Sequence, residues 1–120
     1  VTALQRAFGT RREDIVVAIG PSIGPCCYEV GPEVREAFRQ GPFGRVSDRW
    51  FADRTGSADG RLTLDMWMSN AEQLVEAGVP AGQVHVSALC TASHPEFFPS
   101  YRRDGKGTGR IAAVIRSRRR

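Results

Sequence analysis

Short apolar runs separated by helical stripes limit most strongly what this chain can fold into. Ile15-Val16-Val17-Ala18-Ile19 and Ile111-Ala112-Ala113-Val114-Ile115 are continuous apolar runs, and Val84-His85-Val86-Ser87-Ala88-Leu89 alternates in polarity. All three are short enough to be strands, with 15–19 buried on both faces and 111–115 buried. Between them, Val34, Ala37 and Phe38 follow Gly31-Pro32 at helical spacing, and Trp67, Ala71, Leu74 and Val75 do the same after Asp65. Pro32 suits a first helical position, Asp65 an N-cap, and Gly41-Pro42 and Gly78 with Pro80 are stops. Ala3, Leu4, Ala7 and Phe8 predict one more helix, ended by Gly9. Phe43 to Gly60 reads as irregular, with Trp50-Phe51 as a packed anchor and Arg54 to Gly60 as a turn-rich loop, and Leu62-Thr63-Leu64 after it reads as a short strand or an extended lead-in. Strands separated by helices predict an α+β domain, a mixed sheet with helices packed on it, rather than a bundle or a sandwich.

At 120 residues, with 41% hydrophobic and 25% charged residues, the composition is that of one globular domain with a real core. No apolar run approaches the ~18 residues of a membrane span. The net charge of +4 comes from the end of the chain, where Arg116, Arg118, Arg119 and Arg120 cluster. Such a tail, 116–120, is either a solvated terminus or a phosphate-binding arm, and the near-neutral remainder argues against a nucleic-acid-binding face. Cys26, Cys27 and Cys90 are odd in number with two adjacent. That is a poor disulfide framework and fits a reducing compartment, by default the cytoplasm. The first helix starts uncapped at the first residue and has no leader sequence before it, so it reads as the continuation of a longer chain.

The chemistry concentrates in Ser100-Tyr101-Arg102-Arg103-Asp104-Gly105-Lys106-Gly107-Thr108-Gly109-Arg110. Three arginines, a lysine, two aliphatic hydroxyls and three glycines fall within eleven positions. Glycine lets the main chain approach a ligand closely, and the arginine fork pairs with phosphate or carboxylate. The segment is therefore an anion-binding loop or a solvated basic turn; the full P-loop spacing is absent. Cys90 with His94 and His85 is a weak metal pattern, because structural zinc needs four ligands at spacings not found here. Cys26 and Cys27 lack a Cys-x-x-Cys motif or an identifiable base, and at least one reads as a small buried hydrophobe. Glu29, Asp65 and Asp104 are carboxylates available for acid–base work, but Asp65 reads better as a cap and Asp104 as a partner of a neighbouring arginine.

Four motifs occur in a set order: Ala18-Ile19-Gly20-Pro21-Ser22-Ile23-Gly24-Pro25-Cys26-Cys27-Tyr28-Glu29-Val30-Gly31, Leu64-Asp65-Met66-Trp67 through Leu74, Cys90-Thr91, and Ser100-Tyr101-Arg102-Arg103-Asp104-Gly105 with Thr108-Gly109-Arg110. Together they make the chain resemble the YfiH or laccase-domain family, once called multicopper polyphenol oxidases and now regarded as purine nucleoside phosphorylases with adenosine deaminase activity. The resemblance implies that residues 1–115 are the C-terminal portion of a single domain of that family, with 116–120 a basic tail. It also implies a zinc held by two histidines and a cysteine, in motifs resembling Ala-Asp-Cys and Ala-His-Ala-Gly-Trp-Arg-Gly. Neither motif occurs here, so no family metal ligand and no named catalytic group carries over to this chain.

On this resemblance the expected substrates are adenosine, inosine and methylthioadenosine, with phosphate as co-substrate and a ribose 1-phosphate as product. Arg102, Arg103 and Arg110 are the candidate phosphate-binding groups, with Ser100 and Thr108 as auxiliary donors and Thr91 and Ser22 placed at strand ends. The chain by itself is expected to be inactive. Three other readings remain: a non-catalytic phosphate- or nucleoside-binding module, an RNA-associated protein using its basic tail, and a non-functional truncated remnant. A multicopper oxidase needs many histidine ligands, and two are present.

Overall fold

The computed structural model describes residues 1–54 and 60–116. The stretch 55–59 of the expected turn-rich loop and residues 117–120 of the basic tail lie outside the described residues. The architecture is α+β, with parallel and antiparallel pairings in two separate small sheets.

The first sheet pairs β1 (Val17–Ile19) with β5 (Val84–Val86) in parallel, in the register Val17 to Val84 and Ile19 to Val86. Helix α4 (Met66–Glu76) lies against both strands. Its start follows from Asp65, whose carboxylate accepts the Met68 N–H at 2.9 Å. The second sheet is antiparallel, in the order β2 (Glu29–Val30), β4 (Leu62–Leu64), β3 (Phe51–Asp53). Helix α2 (Pro32–Arg39) begins on Pro32 and sends Val34 and Phe38 to that sheet.

Val30, Trp50, Leu62 and Leu64 form the buried core of this second half. Phe38 meets the Trp50 ring edge-on at 5.7 Å and the Phe51 ring at 5.5 Å. The indole N–H of Trp50 donates to the Glu72 carboxylate, which also holds Arg49 at 2.8 Å, so α4 is tied to the aromatic core by a satisfied polar group. Asp48 joins the same half by accepting from Arg35 and Arg39.

Several expectations are corrected. Residues 111–115 form no strand; Val114 is 94% and Ile115 75% exposed. An apolar run becomes a strand only if an open edge lies alongside it, and no strand among the described residues does so. The first strand is shorter than Ile15–Ile19 and is not covered on both faces, because α4 shields only one. Val16 stands exposed while Ile15 is buried. The third strand stops at Val86: the ladder's last rung is Ser87 N–H to Ile19 carbonyl, and Ala88 then turns to φ 52°. Phe43 to Gly60 is not wholly irregular, since it holds the short helix α3 (Gly44–Ser47) and β3. On α4 the buried position is Ser69 rather than Val75, because Val75 lies on the outer side of the stripe. The first helix, α1 (Thr2–Phe8), ends at Gly9 as expected, yet none of its residues is buried.

Candidate functional site

Where the two halves meet, the Gly-Pro loop after β1, the turn after β5 and the 99–111 segment line an open cavity of about 760 Å3. Its walls are assembled by backbone pairing. Ser22 and Cys90 form an isolated parallel bridge beyond the end of the first sheet, with Ser22 N–H donating to Leu89 and Thr91 N–H donating to Ser22. The Ser22 hydroxyl oxygen accepts the Trp67 indole N–H at 2.8 Å, which fixes the loop on α4. Gly24 permits this close seating, since a Cβ there would lie 2.5 Å from the Trp67 ring and 3.2 Å from Cys90 Cβ.

The helical turn α5 (Tyr101–Asp104) and the glycines after it form the opposite wall. Gly105 at φ 72° and Gly107 at φ 97° hold conformations that side-chain-bearing residues rarely adopt. Asp104 is the hub of this wall. It accepts the Ser100 N–H at 3.0 Å and both arms of Arg103, with Thr108 Oγ1 at the longer distance of 3.4 Å. The guanidinium of Arg103, followed by the Ser100 amide, holds the Asp104 carboxyl below the usual carboxylate range, so it stays ionised and neutralised within the wall.

Six of the seven residues singled out in the sequence line the cavity: Ser22, Thr91, Ser100, Arg102, Thr108 and Arg110. Arg103 does not. Its guanidinium donates to the Thr91 carbonyl at 2.8 Å, to Ala92 at 3.1 Å, to Phe98 at 2.8 Å and to Asp104. It is a scaffold arginine that ties the turn after β5 to α5. Adjacent arginines leave a helical turn in different directions, and sequence alone did not separate them. Arg102 donates to the Glu29 carbonyl at 3.0 Å and lies 5.0 Å over the Tyr28 ring. Lys106, not singled out from the sequence, joins Arg102 and Arg110 in the lining, and no carboxylate lines the cavity among the described residues. Thr91 and Ser100 are buried. Pro21, Ile23, Tyr28, Pro99 and Ile111 supply apolar surface. Cationic side chains and apolar surface lining one cavity suit an anionic group carried on an organic body.

Next to the cavity, the three cysteines come together with all their sulfurs within 4.8 Å of one another. Cys26 is exposed, Cys27 half-buried and Cys90 buried, and all are free thiols. The Gly24 N–H points at Cys90 Sγ at 3.2 Å. Burial pushes the Cys90 thiol up, but hydrogen bonds from Ser93, Gly24 and Cys26 together outweigh it and bring its pKa to about 6. Burial, then hydrogen bonding to Cys26 and Cys90, pushes Cys27 up to about 12.

The histidines do not join this cluster. His85 is exposed on β5, and His94 Nδ1 sits 2.8 Å from the Cys90 carbonyl oxygen. Among the described residues the three sulfurs are the only set of three ligand atoms so grouped. The residues of this chain therefore do not fit a zinc held by two histidines and a cysteine.

No helix among the described residues is long and apolar enough to cross a membrane. The family described as multi-copper polyphenol oxidoreductase laccase matches residues 1–118. A purine nucleoside phosphorylase of Bacteroides thetaiotaomicron is 41% identical over 114 residues, covering 93% of this chain and 40% of that protein. Adenosine deaminase RL5, from an unknown prokaryotic organism, is 39% identical over 108 residues, 89% of this chain and 39% of the relative. The crystal structure of the hypothetical protein YfiH of Bacillus licheniformis superposes with a TM-score of 0.78 at 39% identity, over 88% of this chain and 38% of the other. The chain thus spans about 40% of the length of these curated relatives. From its motifs, its fold and its match over residues 1–118, the chain belongs to the multi-copper polyphenol oxidoreductase laccase family, whose relatives here are named purine nucleoside phosphorylases and adenosine deaminase.

Proposed function

We propose that this chain supplies the phosphate- and nucleoside-binding wall of a purine nucleoside phosphorylase. The observation that carries the reading is the cavity's lining of Arg102, Lys106 and Arg110 with the hydroxyls of Thr91, Ser100 and Thr108 and no carboxylate. Inorganic phosphate is a small, doubly charged acceptor of hydrogen bonds, and forked guanidinium donors match it. In the proposed reaction a phosphate oxygen attacks C1′ of adenosine, inosine or methylthioadenosine while the bond from C1′ to the base breaks. The bond's electron pair leaves with the base, which takes up a proton, and the sugar departs as its 1-phosphate. Arg102 and Arg110 hold the phosphate and orient it, work done by electrostatic preorganisation rather than by proton transfer. Arg103 acts one step back, by holding the Thr91 and Ala92 carbonyls in place.

No histidine, cysteine or carboxylate lines the cavity among the described residues. That favours a binding role for this chain, with the proton-transfer groups and the family zinc supplied from elsewhere in a complete enzyme. The chain alone is then expected to bind without turnover, in a reducing cytoplasmic compartment that keeps its thiols free. The adenosine deaminase activity belongs to the same complete site.

Calorimetric titration with phosphate and with inosine tests the reading. Arg102→Ala and Arg110→Ala should each weaken phosphate binding roughly 10- to 100-fold, the range of a charged hydrogen bond. Phosphate affinity unchanged in both variants would remove these arginines from the site. Robust turnover by the purified chain would overturn the division between binding and proton transfer.

A further inference from the structure

We propose that Cys26, Cys27 and Cys90 form a three-sulfur site for a soft, thiophilic cation, Cu(I) or Zn(II), separate from the phosphate cavity and from any histidine-based metal centre. Three thiols lying together need an explanation that packing does not supply. Cysteine behaves as a small hydrophobe when buried, yet Cys26 is exposed and Cys27 only half-buried. Nor is the arrangement a disulfide, since the Cys26 and Cys27 sulfurs stand 3.6 Å apart, well beyond a covalent bond of about 2.05 Å.

The spacing suits a metal instead. With metal–sulfur bonds of about 2.3 Å, thiolates at trigonal or tetrahedral angles lie roughly 3.8–4.0 Å apart. The Cys26–Cys27 separation is 3.6 Å, and all the sulfurs lie within 4.8 Å, so sub-ångström side-chain adjustments close the triangle. Thiolate ligands select soft d10 ions over magnesium or calcium. Three sulfurs complete a trigonal shell for Cu(I), whereas Zn(II) would take a fourth ligand from solvent or an added molecule, reached from the exposed Cys26 side.

The surroundings hold the ligands as the outer shell of a metal site does. Gly24 N–H points at the Cys90 sulfur at 3.2 Å, the geometry that supports negative charge on it. The Cys90 backbone is fixed on three sides: by the Ser22 bridge, by His94 against its carbonyl, and by Arg103 on the two carbonyls that follow. A Cβ at position 24 would press on Cys90, so the loop carrying Cys26 and Cys27 is pinned against the third ligand. Binding is balanced by proton release: each sulfur binds as a thiolate, so every thiol still protonated gives up its proton as the ion takes three sulfur bonds, and no oxidant takes part.

The experiment titrates the reduced chain, without oxygen, with Cu(I) and separately with Zn(II), each against a competing chelator, and counts alkylated cysteines by mass spectrometry. The expected result is one ion per chain and simultaneous protection of all three thiols, with Cu(I) held more tightly. Cd(II) loading adds a thiolate-to-metal absorption that falls by about a third in each single Cys→Ser variant, since each removes one of three sulfurs. Cys26→Ser, at an exposed position, keeps the fold testable and should weaken binding by at least about 100-fold, the upper end of what outer-shell losses cost. Binding only to Zn(II) would keep the site and assign its ion. No stoichiometric binding of either ion, or binding unaffected by both Cys26→Ser and Cys27→Ser, would overturn the proposal. Phosphate affinity measured on the same variants is expected to stay unchanged, so failure here and failure of the phosphate reading are told apart.

Discussion

The two halves of the molecule are built to different degrees of closure. Around the antiparallel sheet, Trp50 and Leu64 are each only 1% exposed, and Phe38 of α2 meets the Trp50 and Phe51 rings edge-to-face. Around the parallel pair, Val16 and Val86 stand exposed, and the 111–115 run is open to solvent. The difference is one of partners. A strand flanked on one side and roofed by a single helix leaves a face and an edge unsatisfied, whereas three strands under α2 close a core. The cavity and the thiol cluster both sit at the seam, where the open half supplies loop ends and the closed half supplies something rigid for them to lean on. The contrast shows that a cavity wall can be well defined by hydrogen bonds even where the apolar packing beside it is incomplete.

Substitutions in the two halves should separate accordingly. Trp50→Ala opens a large void and removes one of the two donors to the Glu72 carboxylate, and should cost about 3–5 kcal/mol in urea denaturation. A loss under 1 kcal/mol would mean that the closed half is not the stabilising one. Gly24→Ala should cost about 1–3 kcal/mol, because its new methyl meets the Trp67 ring. The same variant should also shift the Cys90 environment, seen as a change in thiolate absorbance.

The thiols make stability at the seam depend on pH in two directions. Cys90 has its pKa lowered from 9.0 to about 6, so its contribution is complete above pH 9 and is lost as pH falls through 6. Cys27 has its pKa raised from 9.0 to about 12, so its contribution is complete below pH 9 and is lost as pH rises toward 12. The Tm difference between the metal-free protein and Cys90→Ser should therefore widen from pH 6 to pH 9; a flat difference would show that no thiolate forms there. Asp65→Ala removes one N-cap and should cost about 1 kcal/mol, read from helicity and Tm. The smallest effect belongs to the open half: Val114→Ser should change stability by less than about 0.5 kcal/mol. A larger loss would reveal that the 111–115 run is covered in solution.

Much of this was legible in the residues because it is local. Asp65 caps α4, Pro32 starts α2 and Gly9 ends α1 through contacts within a few positions. The 100–110 segment was likewise singled out by residue type, and four of its five candidates, Ser100, Arg102, Thr108 and Arg110, line one cavity. What was missed is non-local. Arg102 and Arg103 are neighbours of identical chemistry, and only the positions of Glu29, Tyr28, Thr91 and Phe98 assign one to the cavity and the other to the scaffold. The cysteines gave no spacing signal, since Cys90 reaches the other two across sixty-odd positions of chain through the Ser22 bridge.

Composition, caps and glycine positions thus determined an α+β chain with a basic, glycine-shaped loop, because backbone preference and charge are properties of short segments. Tertiary structure alone decided which cation faces the cavity, whether an apolar run finds a sheet edge, and that three distant sulfurs share one spot. Those outcomes turn on what lies opposite a residue, and the linear order of side chains does not encode opposition.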